Sequence, residues 1–265
     1  MTFIDTHSHV GLAGTFEETL QEVESARALG VSIGLMTTGR CSDFSHIIDW
    51  APRLGWSYTL GLHPLFIQEE SEKSLELLRE TIASHLDDPY LIGVGEIGLD
   101  FYVEGLDREK QEFFFAEQLK IAQVFSLPVT IHARRSLYRV MHFVKAIGVT
   151  GGAIHAFTGS VEEAKDVRRV GLYLGVGGAV TYTGSKKVRK IVTELGLENI
   201  VLETDSPDMA PTFDAERSKA EYLPRYAQTI ADLLKVDVKE VRQKTGENAL
   251  NAFGRLCNNA GLRSL

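Results

Sequence analysis

The sequence predicts an α/β protein built as a single (β/α)8 TIM barrel, with its active site at the C-terminal strand ends. Three observations carry this reading. Short apolar runs alternate with helix-like stretches from end to end, in about eight βα units. The runs are rich in Val, Ile and Leu, as expected of parallel strands buried on both faces. A histidine or carboxylate stands at the end of one run after another, which suits a barrel whose strand ends open onto one mouth. An open doubly wound sheet is the alternative architecture. It rarely needs so many sequential units, and it would not place chemical groups at nearly every strand end.

The elements follow in order. Strands are expected at Thr2–Thr6, Ser32–Thr37, Ser57–Leu62, Leu91–Glu96, Pro128–His132, Gly152–His155, Leu172–Val176 and Ile200–Thr204. Phe16–Leu29 reads as an amphipathic helix stopped by Gly30. Ser71–His85 carries Leu75, Leu78 and Ile82 at helical spacing, continued by Leu86 just beyond it. Asp107–Phe125 opens with an acidic turn, and Val161–Val170, Ser185–Leu195, Ala220–Leu234 and Val238–Phe253 complete the series. His46, His85 and His142 fall in helix-like stretches and read as ordinary histidines. The segment Asp208–Lys219 reads as a long polar loop that touches substrate. With no linker, low-complexity tract or short repeat, residues 1–265 are expected to form one domain.

The bulk properties narrow the class. A chain of 265 residues is typical for one such barrel and can bury a large core without staples. Cys41 and Cys257 form no recognisable pair, so a reducing compartment is expected. No targeting segment is expected ahead of the first strand, and no apolar run approaches the ~20 residues needed to span a bilayer. The expected location is the cytoplasm, with no membrane association and no obligate protein partner. A net charge of −8 counts against passive DNA binding. It counts less against a nuclease, because bound cations supply positive charge where the phosphate sits.

Five of the eight histidines, His7, His9, His63, His132 and His155, stand at predicted strand ends. His7 and His9 are two apart, so on a strand both would face the same way and grip one ion. Glu96 and Asp205 join them at other strand ends. A lone histidine there would be satisfied by a carbonyl; the set of six, with His132 and His155, is what argues for metal. Imidazole and carboxylate without thiolate suit Zn²⁺, Mn²⁺, Fe²⁺, Co²⁺ or Mg²⁺. Six ligands are too many for one open catalytic ion. They suit two ions sharing a bridging carboxylate and a bridging water.

Further residues carry weaker signals. Asp5 is expected to orient a ligand histidine, and Asp100 either does the same or caps its loop. Gly95 and Gly98 around Glu96 suggest close backbone approach. Arg134 and Arg135 follow just after His132 and Ala133; either one reaches the mouth and binds phosphate, or both are solvated. Lys186, Lys187, Arg189 and Lys190 read as a solvated helix face or a guide for a nucleic-acid backbone. Tyr102, Phe157 and Tyr182 read as packing residues or base-stacking platforms.

These residues resemble the TatD-like family of metal-dependent deoxyribonucleases, within the amidohydrolase-type barrels. The motifs are Ile4-Asp5-Thr6-His7-Ser8-His9, Gly61-Leu62-His63-Pro64, Val94-Gly95-Glu96-Ile97-Gly98-Leu99-Asp100, Val129-Thr130-Ile131-His132, Ile154-His155-Ala156-Phe157-Thr158-Gly159 and Leu202-Glu203-Thr204-Asp205-Ser206-Pro207. The resemblance implies a binuclear hydrolase in which His7 and His9 hold one ion and His132 and His155 the other. It implies that Glu96 bridges them, that Asp205 binds the first ion and serves as general base, and that His63 faces substrate and holds a phosphate. The implied substrate is DNA, with exonuclease action expected. One departure stands out: where many members carry an Arg/Asn-Glu-Pro stretch, this chain reads Ala215-Glu216-Arg217-Ser218-Lys219-Ala220-Glu221. A two-metal hydrolase of a non-DNA ester or amide, such as a small metabolite or an aminoacyl ester on RNA, is the alternative. A protein binding metal only for structure is a third and weaker reading.

Overall fold

The computed structural model describes residues 2–258. Eight parallel strands lie in one sheet in chain order: β1 (Phe3–Ser8), β2 (Val31–Thr37), β3 (Ser57–Leu60), β4 (Leu91–Asp100), β5 (Val129–Arg134), β6 (Gly152–Ile154), β7 (Tyr173–Val176) and β8 (Ile200–Leu202). Around them run α1 (Phe16–Ala28), α2 (Phe44–Leu54), α3 (Glu72–Ser84), α4 (Arg108–Val124), α5 (Leu137–Ile147), α6 (Val161–Arg169), α7 (Lys186–Leu195), α8 (Leu223–Leu234) and α9 (Val238–Ala252). This is the (β/α)8 barrel that the alternation predicts. Two helices for which the sequence suggested no bounds, α2 and α5, enclose His46 and His142. His85 lies just past α3, as its C-cap. Among the described residues no helix is long and apolar enough to cross a membrane. Cys41 is a free thiol, and the side chain of Cys257 lies outside the described residues.

The ring is completed between β1 and β8 through loop backbone and side chains. Asp205 N donates to His7 O at 2.9 Å and His9 N to Ser206 O at 2.7 Å. Thr6 Oγ1 donates to Leu202 O at 2.9 Å. Asp5 grips the seam: Oδ1 accepts from Thr204 N at 2.9 Å and Oδ2 from Thr204 Oγ1 at 2.5 Å. The N-terminal mouth is plugged by apolar side chains. Ile4, Ile33, Ile92, Ala153 and Val201 pack there with Phe253 and Leu256 from the end of the chain's last described helix and turn.

Two irregularities aim the site. Val94 and Ile97 of β4 pair with Val129 and Ile131 of β5, so three steps face two, and the extra residue falls at Gly95-Glu96. In β1, Asp5 and Ser8 likewise pair with Gly34 and Met36 of β2. Bulges re-aim side chains beside active sites, and here they carry Glu96 and His7. Gly95 is required: a Cβ there would lie 2.1 Å from Thr130 Cγ2.

Outside the barrel, the fully buried Trp56 lies flat against Gly34 of β2, and a Cβ at Gly34 would meet its ring at 2.2 Å. Gly34→Ala must displace that indole. Overpacking of this kind costs roughly 1–3 kcal/mol. Thermal unfolding should show a Tm lower by about 3–10 °C; an unchanged Tm would contradict the packing described here.

Candidate metal centre

Glu96 is fully buried at the centre of the mouth, and its two oxygens face different partners. Oε2 lies 3.2 Å from His7 Nε2 and 3.2 Å from His9 Nε2. Asp205 Oδ1 stands 3.5 Å from each of those nitrogens. Oε1 lies 2.8 Å from His155 Nε2, 3.1 Å from His132 Nδ1 and 3.2 Å from His63 Nε2. Six side chains predicted from different strand ends therefore meet on one carboxylate or beside it, and His63 joins them.

The outer ring atoms decide which nitrogen faces inward. His9 Nδ1 lies 3.2 Å from Thr37 O, which can only accept, so Nδ1 carries the proton and Nε2 offers a lone pair. His132 is turned the other way: Nε2 donates to Asp100 Oδ2 at 3.0 Å, leaving Nδ1 free. His7 Nδ1 lies 2.8 Å from Thr130 Oγ1. His63 differs in kind. Its Nδ1 accepts from Leu65 N at 3.2 Å, so in the neutral ring Nε2 carries the proton and donates towards Glu96. This favours His63 as a hydrogen-bond donor over a ligand. His155 Nδ1 is buried without a hydrogen bond, with Glu203 Oε1 at 4.0 Å.

Asp100 therefore does what was expected of Asp5. Asp5 reaches no imidazole nitrogen among the described residues; it holds the backbone of His7 and Thr204 across the barrel seam. The position on the strand explains the difference, because Asp5 points into the seam, while Asp100 at the end of β4 reaches back to His132 on β5. Asp100→Ala should weaken metal affinity by about 10–100-fold through the freed His132 ring. Metal titration would check this, and an unchanged affinity would remove Asp100 from the site.

The donors fit a cation. Glu96 Oε2 and Asp205 Oδ1 are buried yet accept no hydrogen bond, although imidazole nitrogens stand 3.2–3.5 Å away. At these two oxygens, carboxylate and imidazole nitrogen thus converge with no aligned N–H between them. The sets His7/Glu96/His155, His7/His9/Asp205 and His63/Glu96/His132 each bring their ligand atoms within 4.8 Å of one another. All are N or O donors, the set borderline and hard divalent ions prefer.

With only the protein's own charges acting, protons stand in for cations. Burial drives the His7 ring down to about 3 and His63 down to about 4. Burial also opposes charge on His9 and His155. The hydrogen bond and charge of Glu96, with the charge of Asp205, nevertheless push them up to about 9 and about 10. Burial would raise Glu96 too, but the charges of His155, His63 and His7 hold it well below the usual carboxylate range. Burial raises Asp205 above its ordinary value, and Glu203 up to about 8.

A cleft of about 610 Å³ opens above the cluster, lined on its rim by Leu12, Phe66, Arg134, Asp208 and Met209. Arg134 is exposed there. Phe157 is buried and packs. Tyr182 is partly exposed, with its hydroxyl donating to Ala210 O at 2.9 Å. In the basic run, Arg189 donates to Val180 O and Lys190 pairs with Glu194, while Lys186 and Lys187 are solvated. Ser218 of the divergent loop is fully buried. Its Oγ donates to Thr204 O at 2.8 Å, and its N to Pro207 O at 2.9 Å, so it braces the loop from beneath. Ser206 Oγ donates to Glu22 Oε1 at 2.8 Å, which ties the same loop to α1.

Thr37, Thr130 and Glu22 are the positioning residues that sequence reasoning missed. Thr130 carried a signal: it lies two before His132 on β5, so the pleat turns both inward. Glu22 carried none, because its partner is 184 residues away.

Fold and site together define a barrel hydrolase of the metal-dependent class. The family model described as TatD related DNase matches residues 4–254. An uncharacterized metal-dependent hydrolase of Haemophilus influenzae is 34% identical over 263 residues, covering 96% of this chain and 100% of that protein. A protein of Erwinia tasmaniensis named 3'-5' ssDNA/RNA exonuclease TatD is 30% identical over 242 residues, covering 87% of this chain and 92% of its own. The crystal structure of YjjV, a TatD homologue from Escherichia coli, superposes with a TM-score of 0.90 at 29% identity, covering 95% of this chain and 98% of that one. The chain belongs to the TatD-related DNase family.

Proposed function

We propose that the protein is a phosphodiesterase acting on DNA, a deoxyribonuclease that removes nucleotides from a strand end. The observation that carries this is the division of Glu96, whose two oxygens face two separate sets of donors. In this reading His7, His9, Asp205 and Glu96 hold one divalent ion, and Glu96, His132 and His155 hold a second. Zn²⁺, Mn²⁺ or Mg²⁺ match the donors. Bound there, such ions would acidify water and offset phosphate charge, which an acidic protein otherwise lacks.

The chain's own groups do the rest. Asp205 accepts the proton of the attacking water; its Oδ1 is a buried carboxylate oxygen left without a hydrogen bond. His63 offers its Nε2–H at the cleft wall, where a non-bridging phosphate oxygen would sit. Arg134 offers a fork of donors at the rim. The exonuclease name of the Erwinia tasmaniensis relative supports the substrate class.

The test is metal-reconstituted protein incubated with end-labelled single-stranded DNA, beside a chelator control. Metal-dependent shortening from one end is the expected result, and the ladder gives its direction. Intact DNA with metal bound, alongside cleavage of a carboxyl ester or amide, would replace this reading with the non-DNA one.

A further inference from the structure

We propose that Tyr102, Arg134 and Arg135 form a subsite for one nucleotide unit of a single strand, beside the metal centre. The base lies on the stacked side chains and the adjoining phosphate meets Arg134. The proposal rests on the phosphodiesterase reading above and names where the strand is held.

Tyr102 is 46% exposed, so one part of its ring is open to solvent. The Arg134 guanidinium lies 3.8 Å from its centroid and that of Arg135 lies 4.6 Å away. Among the described residues, neither guanidinium has a carboxylate partner or a side-chain hydrogen bond. Several arginines of this acidic chain are ion-paired instead: Arg40 with Glu69, Arg53 with Asp49, and Arg139 with Glu112. Here two like charges are gathered on one ring with no ion-pair partner among the described residues. Arg135 adopts φ 53, in the left-handed region, so the chain turns sharply at this pair.

The group is built to a fixed place. Asp100 Oδ1 accepts from Tyr102 N at 2.9 Å and from Val103 N at 3.1 Å, while its Oδ2 accepts from His132. Gln111 of α4 clamps the Asp100 main chain from both sides, at 2.8 Å and 3.1 Å. Phe101 N donates to Arg134 O at 2.9 Å. One carboxylate therefore registers both a ring of the metal centre and the aromatic platform. Arg134 lines the same cleft as Glu96 and His132.

The chemistry selects the ligand. A guanidinium is planar, stacks on aromatic faces and binds phosphate through two parallel donors. A Tyr–Arg layer beside a phosphate-cleaving site meets both halves of a nucleotide. Stacking of this kind tolerates any base, because every base has a π-face.

The experiment uses the metal-reconstituted full chain. Methyl p-nitrophenyl phosphate first reports whether any phosphodiester is cleaved. Two short single-stranded DNA oligomers are then compared, identical except that one lacks the bases flanking the scissile phosphate. The base-bearing oligomer should be preferred in kcat/KM by about tenfold or more. That ratio should fall towards one in the double variant Tyr102→Ala/Arg135→Ala and persist in Tyr102→Phe. Equal kcat/KM for both oligomers in the wild-type protein, with the small diester cleaved, would overturn the subsite and leave the phosphodiesterase reading intact. Failure to cleave every phosphodiester would overturn that reading, and the subsite with it.

Discussion

Glu96→Gln is expected to lower hydrolysis about 10³-fold and to reduce bound metal to one ion per chain or none. The substitution keeps shape and removes charge. Glutamine offers one acceptor oxygen and one NH₂, so one of the two donor sets that now face Oε1 and Oε2 must face hydrogen atoms. An ion at such a site supplies several kcal/mol of charge stabilisation, and each ~1.4 kcal/mol is a factor of ten in rate. A second reading separates metal binding from folding. Saturating metal at about 100 times Kd should stabilise the wild-type protein by about 2.7 kcal/mol. For a chain of this size that is a Tm rise on the order of 5–10 °C. Glu96→Gln should lose most of that rise. The metal-free variant should itself be less stable than the metal-free parent near neutral pH, because His9 and His155 lose the carboxylate that keeps them protonated, so the metal-induced rise is read against each protein's own metal-free Tm. Elemental analysis showing two ions per chain in Glu96→Gln, with activity intact, would remove Glu96 from the centre of the mechanism.

Much of this architecture is written locally. Parallel strands covered on both faces read as unbroken apolar runs, so the eight strands were legible with ends off by a few residues. The helices α2 and α5 were less so, for physical reasons. α2 carries Pro52 near its end, a helix-breaking residue tolerated there because only the last turn loses a hydrogen bond. α5 begins two residues beyond Arg134-Arg135, where the sequence signals a site loop. The metal-site side chains were legible because a barrel sends every strand end to one mouth. The bulges at Glu96 and His7 were not, since register depends on a neighbouring strand. Nor was the role of Asp5, whereas both roles weighed for Asp100, orienting a histidine and capping its loop, are present. Asp5 and Asp100 are both acidic residues next to histidine strands, and only the seam between β1 and β8 determines that Asp5 holds backbone. For His63 the sequence suggested a substrate-facing residue and not a ligand; what it could not show is the N–H from Leu65 that turns Nε2–H towards Glu96.

Asp205→Asn is expected to lower the rate by about 10²–10⁴-fold, the range for loss of a positioned general base, while removing at most one ion. The two effects part company because Asp205 contributes to only one donor set. Its Oδ1 stands near His7 and His9, whereas His132 Nδ1 and His155 Nε2 approach Glu96 Oε1 without it. Asparagine is also the right replacement for the backbone. Asp205 sits at φ 54, in the left-handed region, which Asn and Asp enter readily and alanine does not. Asp205→Ala would therefore add roughly 1–3 kcal/mol of backbone strain to the chemical loss, and its lower Tm would blur the reading. Asp205→Asn should unfold within a few degrees of the parent when both are metal-free. If it binds metal like the parent, folds like the parent and still hydrolyses at the parental rate, the proton goes elsewhere. Glu203 is then the next carboxylate to test, buried, 4.0 Å from His155 Nδ1 and held by Ala156 N at 2.6 Å.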